Sequence, residues 1–315
     1  MRAAVVGGGI GGLATAAALR RVGVGAVVYS DPTPHVAESP LSGPVGELGL
    51  GLWTNGLRCL ELLSAGAVHR LARHGGSRWM GDASYRTRDG RWIAGPSRPM
   101  DAFIGPAGRG EDWASPDGFG TTEPAMLFVS HAHLQQTLTE LLPADAIRAA
   151  PSRVSRVVPS GAAMRLEFED GSATDEAYEL LVGADGWRSA VRAQLAHGRG
   201  SAAAAQPLGF VVCRGLARGV PLPTGRGAVG SSFQTWGGDG RRFASVAMGD
   251  GDCHAWFATL PSGMLPGGEP SLEMLAEGCE KWGGFSEWHD PIPVLLQVGD
   301  ELLQAFISPN PSSKR

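Results

Sequence analysis

Two glycine-rich turns hold the residue types best able to do chemistry in this chain. The first, Gly7-Gly8-Gly9-Ile10-Gly11-Gly12, satisfies G-x-G-x-x-G through Gly7, Gly9 and Gly12. Glycines at this spacing let a backbone approach a pyrophosphate, and a helix opening there offers unbonded N–H groups and the positive end of its dipole. The same glycines would also serve a plain strand-to-helix turn, so the flanking elements must decide. A carboxylate for the ribose hydroxyls is expected about 20 residues further on, at the end of the next strand. Ser30 stands at that place and Asp31 follows it. The second turn, Gly183-Ala184-Asp185-Gly186, carries an acid; as an isolated Asp-Gly it would be an ordinary β-turn. His131 and His133 could suggest a metal, but positions i and i+2 of a helix do not share a face.

The elements around these turns fit the first reading. Ala3-Ala4-Val5-Val6 is an apolar run suited to a strand buried in a parallel sheet. Helical spacing of Gly12, Ala16 and Leu19 follows, with Arg20 and Arg21 in the last turn and Gly23 as the stop. Ala26 to Tyr29 forms the next strand. Further on, the spacing predicts a strand at 49–53 and a helix led by Asn55 with Leu57, Leu60 and Leu63 on one face. A hairpin over 79–94 turns at Asp89-Gly90, and residues 95–125 read as loop. A strand at 125–130 leads into a helix from His131 to Leu142. Strands follow at 154–158, 164–169, 179–182, 210–213, 243–248 and 255–260, and helices at 271–282 and 293–306.

Composition closes several other classes. The chain has 315 residues, 43% hydrophobic and 18% charged, enough for one large or two modest domains. A net charge of −4 gives no electrostatic case for a nucleic-acid partner or an anionic membrane. Cys59, Cys213, Cys253 and Cys279 stand far apart without metal-ligand spacing, as expected of thiols in a reducing, cytoplasmic setting. No apolar stretch is long enough for a transmembrane helix, and the glycines after Arg2 break what could otherwise imitate a secretory leader. A nucleophile elbow, a P-loop and an HExxH motif are absent from the sequence.

Taken together, three segments resemble the FAD-dependent monooxygenases of the aromatic-hydroxylase, single-component flavoprotein family. They are Gly7 to Ala14, Gly49-Leu50-Gly51-Leu52 with Asn55, and above all Leu181-Val182-Gly183-Ala184-Asp185-Gly186-Trp187-Arg188-Ser189-Ala190-Val191-Arg192. The resemblance implies an α/β fold: a Rossmann-like, dinucleotide-binding FAD domain with an inserted antiparallel β-sheet substrate domain. On that basis residues 1–75 and 126–195 are expected to form the FAD part, 76–125 and 196–298 the substrate part, and 299–315 a tail. It also implies FAD as cofactor, NAD(P)H as co-substrate, and oxygen insertion into a small, hydrophobic or aromatic compound. Asp185 and Gly186 are then cofactor residues, with Arg188 as an electrostatic partner.

The sequence departs from the family at four places. Ser30 replaces the ribose-binding acid. His131 stands where an arginine near the pyrophosphate is usual, and it supplies less charge. No arginine lies between Asp31 and Leu57, where many relatives carry one facing the flavin. A third motif, Gly-Asp followed by small residues and a proline-containing loop, has no match: Gly299-Asp300 runs into Glu301-Leu302-Leu303-Gln304, which reads as helix. This leaves open a truncated, catalytically silent relative, or a flavin-dependent reductase or dehydrogenase on the same scaffold.

Overall fold

The computed structural model describes residues 1–31, 49–74, 77–79, 83–94, 126–186, 189–196, 209–220, 232–249, 253–264, 284–297 and 302–307. The 271–282 helix, the 95–125 loop, Arg188 and Cys279 of the sequence reading lie outside these residues.

Along the chain, β1 (Arg2–Val6), α1 (Ile10–Arg21) and β2 (Gly25–Ser30) come first, then β3 (Gly49–Trp53), α2 (Thr54–Leu63), α3 (Ala67–Ala72), β4 (Arg78–Trp79), β5 (Ala83–Thr87) and β6 (Trp92–Ala94). They are followed by β7 (Met126–Ser130), α4 (His131–Thr139), β8 (Ile147–Ala149), β9 (Val154–Ser160), β10 (Ala163–Phe168), β11 (Leu180–Gly183) and α5 (Ala190–Ala196). The last are β12 (Phe210–Arg218), β13 (Ser232–Trp236), β14 (Arg242–Met248), β15 (Cys253–Pro261), α6 (Ile292–Gln297) and β16 (Leu302–Ile307). Two compact units divide the chain, one of residues 1–38, 62–65 and 134–205, the other of 39–61, 66–133 and 206–315.

The first unit is built on a four-stranded parallel sheet of order β11-β1-β2-β8. Ala3 to Val6 are all buried, which is why β1 reads as an uninterrupted apolar run and lies between two partners. α1 buries Gly12, Leu13, Ala16 and Ala17, and the chain leaves it at Gly23 with φ +83°. The β9–β10 hairpin contributes Leu166 and Phe168 to a core with Ala4, Val6, Val27, Tyr29, Tyr178 and Val191. A polar chain edges this core. Tyr29 and Tyr178 share a 2.6 Å hydroxyl contact, Tyr178 donates to Glu176 at 2.7 Å, and Glu176 also accepts from Arg2 and Arg148. The Arg148 hydrogen bond, more than any other cause, holds the Glu176 carboxyl down to about 2.

The second unit carries a seven-stranded sheet of order β16-β12-β15-β14-β13-β5-β6 and a three-stranded sheet of order β3-β7-β4. The β5–β6 hairpin turns through Gly90 at φ +84°, as the Asp89-Gly90 dipeptide predicts. Side chains alternate across the large sheet with the period of two. One face, with Phe233, Thr235, Phe243, Ser245, Trp256, Ala258, Cys213 and Val211, is buried with Phe285, Trp288, Ile292 and Leu295 in one core. Gly215 is required there, because a Cβ would meet the Trp256 indole. The other face presents Val212, Arg214, Ala244, Val246, Phe257 and Thr259, all half-buried.

The C-terminal region differs from its sequence reading. Among the described residues of the stretch expected as one helix from Pro293 to Phe306, the helix is Ile292–Gln297. Leu302–Ile307 is a strand, antiparallel to β12 from Val211↔Ile307 to Gly215↔Leu302. Leucine, glutamine and alanine favour helix weakly, and pairing with an available sheet edge outweighs that preference. No helix among the described residues is long and apolar enough to cross a membrane.

Candidate cofactor site

Both glycine turns leave the carboxyl ends of neighbouring parallel strands. Val6 at the end of β1 pairs with Gly183 at the end of β11, while the following helix carries the chain from β1 to β2 on the other side. Strand order thus reverses at β1, the place where open α/β sheets bind ligands. The turns also touch. Ala184 N–H donates to the Val6 carbonyl at 2.8 Å, and a Cβ on Gly7, whose φ is +113°, would strike the Ala184 carbonyl. A Cβ on Gly12 would strike the Gly7 carbonyl, so glycine at 12 lets α1 lie directly against the turn.

Three other glycines of the two turns face open space. A Cβ at Gly9, Gly11 or Gly186 would meet nothing within 4 Å. Gly9 is the N-cap of α1 and has no side chain to cap it, and the first turn holds no acidic residue. The N–H groups of Ile10, Gly11 and Gly12 have no carbonyl one turn back to bond, so they present a donor cluster at the dipole's positive end. This cradle fits the pyrophosphate of a dinucleotide such as FAD in donor set and in space.

Around it, Ser30 sits at the end of β2 with its side chain against Gly8, where a Cβ would collide with it. Asp31 lies with its carboxylate 3.7 Å from the Arg153 guanidinium. Of the two candidate ribose contacts, the serine is the one beside the turn. Asp185 accepts from the Ser189 hydroxyl and, at 3.2 Å, from the Val191 N–H, so it caps α5 as well as standing in the second turn. Gly186, at φ +75°, has its carbonyl 3.3 Å from the Arg192 guanidinium. Gln135 was not singled out from sequence; it donates to the Gly8 carbonyl at 2.9 Å.

His131 belongs to the second unit, as the first residue of α4 after the fully buried strand β7. Burial, and then the charge of Arg214, push its imidazole below the ordinary histidine value. Arg214 donates to the Gly49 carbonyl and lies 4.9 Å from the Phe257 ring centre. The half-buried sheet face of Val212, Ala244, Val246 and Phe257 therefore includes a guanidinium, that of Arg214. His133 does not join His131; its ring stacks on His74 with centroids 3.3 Å apart. No cluster of three metal-ligating side chains occurs among the described residues.

A parallel sheet with a glycine-turn cradle at its reversal point, accompanied by a separate antiparallel sheet, is the architecture of FAD-binding monooxygenases of the p-hydroxybenzoate hydroxylase fold. The chain's homologues are FAD-dependent aromatic-type monooxygenases. It is 28% identical over 303 residues to the aurachin C monooxygenase/isomerase of Stigmatella aurantiaca, covering 93% of this chain and 64% of that protein. The 3-amino-4-hydroxybenzoate 2-monooxygenase PtnB3 of Streptomyces platensis is 33% identical over 225 residues, 71% of this chain and 48% of that one. Klebsiella pneumoniae HpxO, solved with FAD and uric acid, superposes with a TM-score of 0.68 at 22% identity, covering 98% of this chain and 67% of that one. The chain spans between about half and two thirds of the length of these curated relatives. No family model matches it.

Proposed function

We propose that the chain is the FAD-binding and substrate-covering part of a monooxygenase that uses NAD(P)H and O2 to hydroxylate or epoxidise a small, hydrophobic or aromatic compound. The observation that carries this reading is the meeting of the two glycine turns at Gly7 and Ala184, on neighbouring strands. Bound FAD would supply the electron transfer from NAD(P)H and the activation of O2. The chain's own residues bind and orient. Gly9, Ile10, Gly11 and Gly12 would hold the pyrophosphate through backbone N–H groups, with Gly7, whose own N–H is given to Tyr29, shaping the turn, and Ser30, with Asp31 behind it, would meet the ribose. Asp185, Gly186 and Arg188 contact the cofactor from the second turn, and His131 donates one hydrogen bond from the start of α4. The half-buried sheet face with Val212, Ala244, Val246 and Phe257 suits an apolar or aromatic ring, and Arg214 offers it a polar anchor. The thiols Cys59 and Cys213 are in keeping with a reducing compartment, the cytoplasm.

A visible spectrum of the purified protein, with and without added FAD, tests the cofactor assignment. NAD(P)H oxidation against a panel of aromatic compounds, with isotopically labelled O2, tests the reaction. Labelled oxygen in the product is expected. NAD(P)H oxidation with a reduced product free of label would make it a reductase, and a dehydrogenated product formed without consumption of NAD(P)H would make it a dehydrogenase. An absence of both flavin absorbance and NAD(P)H oxidation would overturn the proposal.

A further inference from the structure

We infer that Gln135 is the positioning residue that fixes which way the glycine turn presents its donors, an inference that rests on the cofactor reading above. Its Nε2 donates to the Gly8 carbonyl at 2.9 Å, joining residues 127 apart in the chain. The partner is a carbonyl, so the amide presents its NH2 there. The Gly8–Gly9 peptide is trans. In a trans peptide the carbonyl and the following N–H point in opposite directions. Holding the Gly8 oxygen toward α4 therefore turns the Gly9 N–H the other way, at the N-cap of α1.

Main-chain ties hold the turn before and after this peptide, at the Val6–Gly7 and Gly9–Ile10 peptides. Gly7 N–H donates to the Tyr29 carbonyl at 2.9 Å, and the Gly9 carbonyl accepts from Leu13 N–H at 3.0 Å. The Gly8–Gly9 peptide lies between those ties and joins two glycines, the residues whose backbone rotates most freely. Stiffening position 8 with a side chain is not open to the fold, because a Cβ there would collide with Ser30. If this peptide flipped, a carbonyl oxygen would replace an N–H where a phosphate must sit. The Gln135 amide holds it against that flip while standing one residue layer away from the ligand.

The test uses the whole chain, with FAD affinity read by flavin fluorescence and the unfolding midpoint of the apoprotein read alongside. Gln135→Leu is expected to weaken FAD binding about tenfold, because the freed peptide must then be oriented by the ligand, with the apoprotein midpoint lowered by no more than about 5 °C. Gln135→Glu adds a readout that a merely structural role would not move. Its carboxyl donates to Gly8 when protonated and repels it when ionised, so FAD affinity relative to wild type should be restored at pH 4, below the ordinary glutamate value, and fall by pH 7. Wild-type affinity in both variants overturns the inference. So does a Gln135→Glu variant whose affinity runs parallel to wild type with pH, even if Gln135→Leu fails to fold. A wild-type protein that takes up no FAD overturns the cofactor reading and this inference together, whereas wild-type FAD uptake with unaffected variants overturns only this one.

Discussion

Alanine at position 12 and alanine at position 9 should separate what the glycine turn does for the fold from what it does for a ligand. At Gly12 the new methyl would overlap the Gly7 carbonyl, a backbone atom that cannot rotate aside. To restore a normal contact α1 must retreat on the order of 1 Å, loosening Leu13, Ala16 and Ala17 from the core. Overpacking against a backbone atom, which cannot rotate aside, lies in the upper part of its usual range, about 2–3 kcal/mol, offset by roughly 1 kcal/mol of helix propensity gained over glycine. Gly12→Ala should therefore lose on the order of 1–2 kcal/mol. At roughly 2–4 °C per kcal/mol for a chain of this size, its apoprotein midpoint falls by about 2–8 °C. At Gly9 the methyl meets nothing, and the backbone, at φ −75° and ψ 178°, suits any residue. Gly9→Ala should keep the wild-type midpoint and lose FAD affinity, because the methyl occupies the space before the α1 N-terminus. Calorimetry on the apoproteins and flavin fluorescence titration read the two effects. A Gly12→Ala protein as stable as wild type, or a Gly9→Ala protein that binds FAD normally, would refute the assignment of roles.

Three further outcomes follow from the electrostatics. Glu176 has a folded-state value of about 2 against an ordinary 4.5, so the stability it contributes is complete above pH 4.5 and is lost as pH falls toward 2. Urea midpoints should drop less between pH 5 and pH 3 for Glu176→Gln than for wild type. Burial and the neighbouring His74 hold His133 below the ordinary histidine value, so the pair favours folding above about pH 6.5 and loses that contribution as pH falls below it. His133→Phe should flatten the loss of stability between pH 6.5 and 5, and an unchanged slope counts against the pair as its source. Arg214→Met removes the cation that helps depress His131, so the His131 titration followed by NMR should move upward.

The elements around the first turn were legible because their signals are local. The apolar run of β1, the glycines and the alanine-rich face of α1 lie within 20 residues of one another. The hairpin at Gly90 was legible for the same reason. What sequence did not reveal depends on distant partners. β13 is short, and it earns its place by pairing in parallel with β5, some 150 residues earlier. The first four residues of β16, Leu302 to Ala305, favour helix, and β12 supplies what makes them a strand. Gln135 carries no motif; it is one polar residue beside the Leu134–Leu138 stripe, and only the arrival of Gly8 gives it a task. Asp185 was legible as a member of its motif, whereas its second task, capping α5, needed Ser189 and Val191 in place.

The placement of β1 between β2 and β11 also sets a timetable for synthesis. β2 follows β1 within about 20 residues, but the partner for the other edge of β1 ends some 177 residues later, at Gly183. At translation rates of about 5–20 residues per second, the nascent chain carries that edge unpaired for roughly 10–35 s. The strand left waiting is the apolar run Ala3 to Val6, which is the kind of edge that recruits a stray strand from another chain. The same register that builds the cofactor cradle thus leaves Ala3 to Val6 enclosed along one edge early and along the other only once β11 has been made.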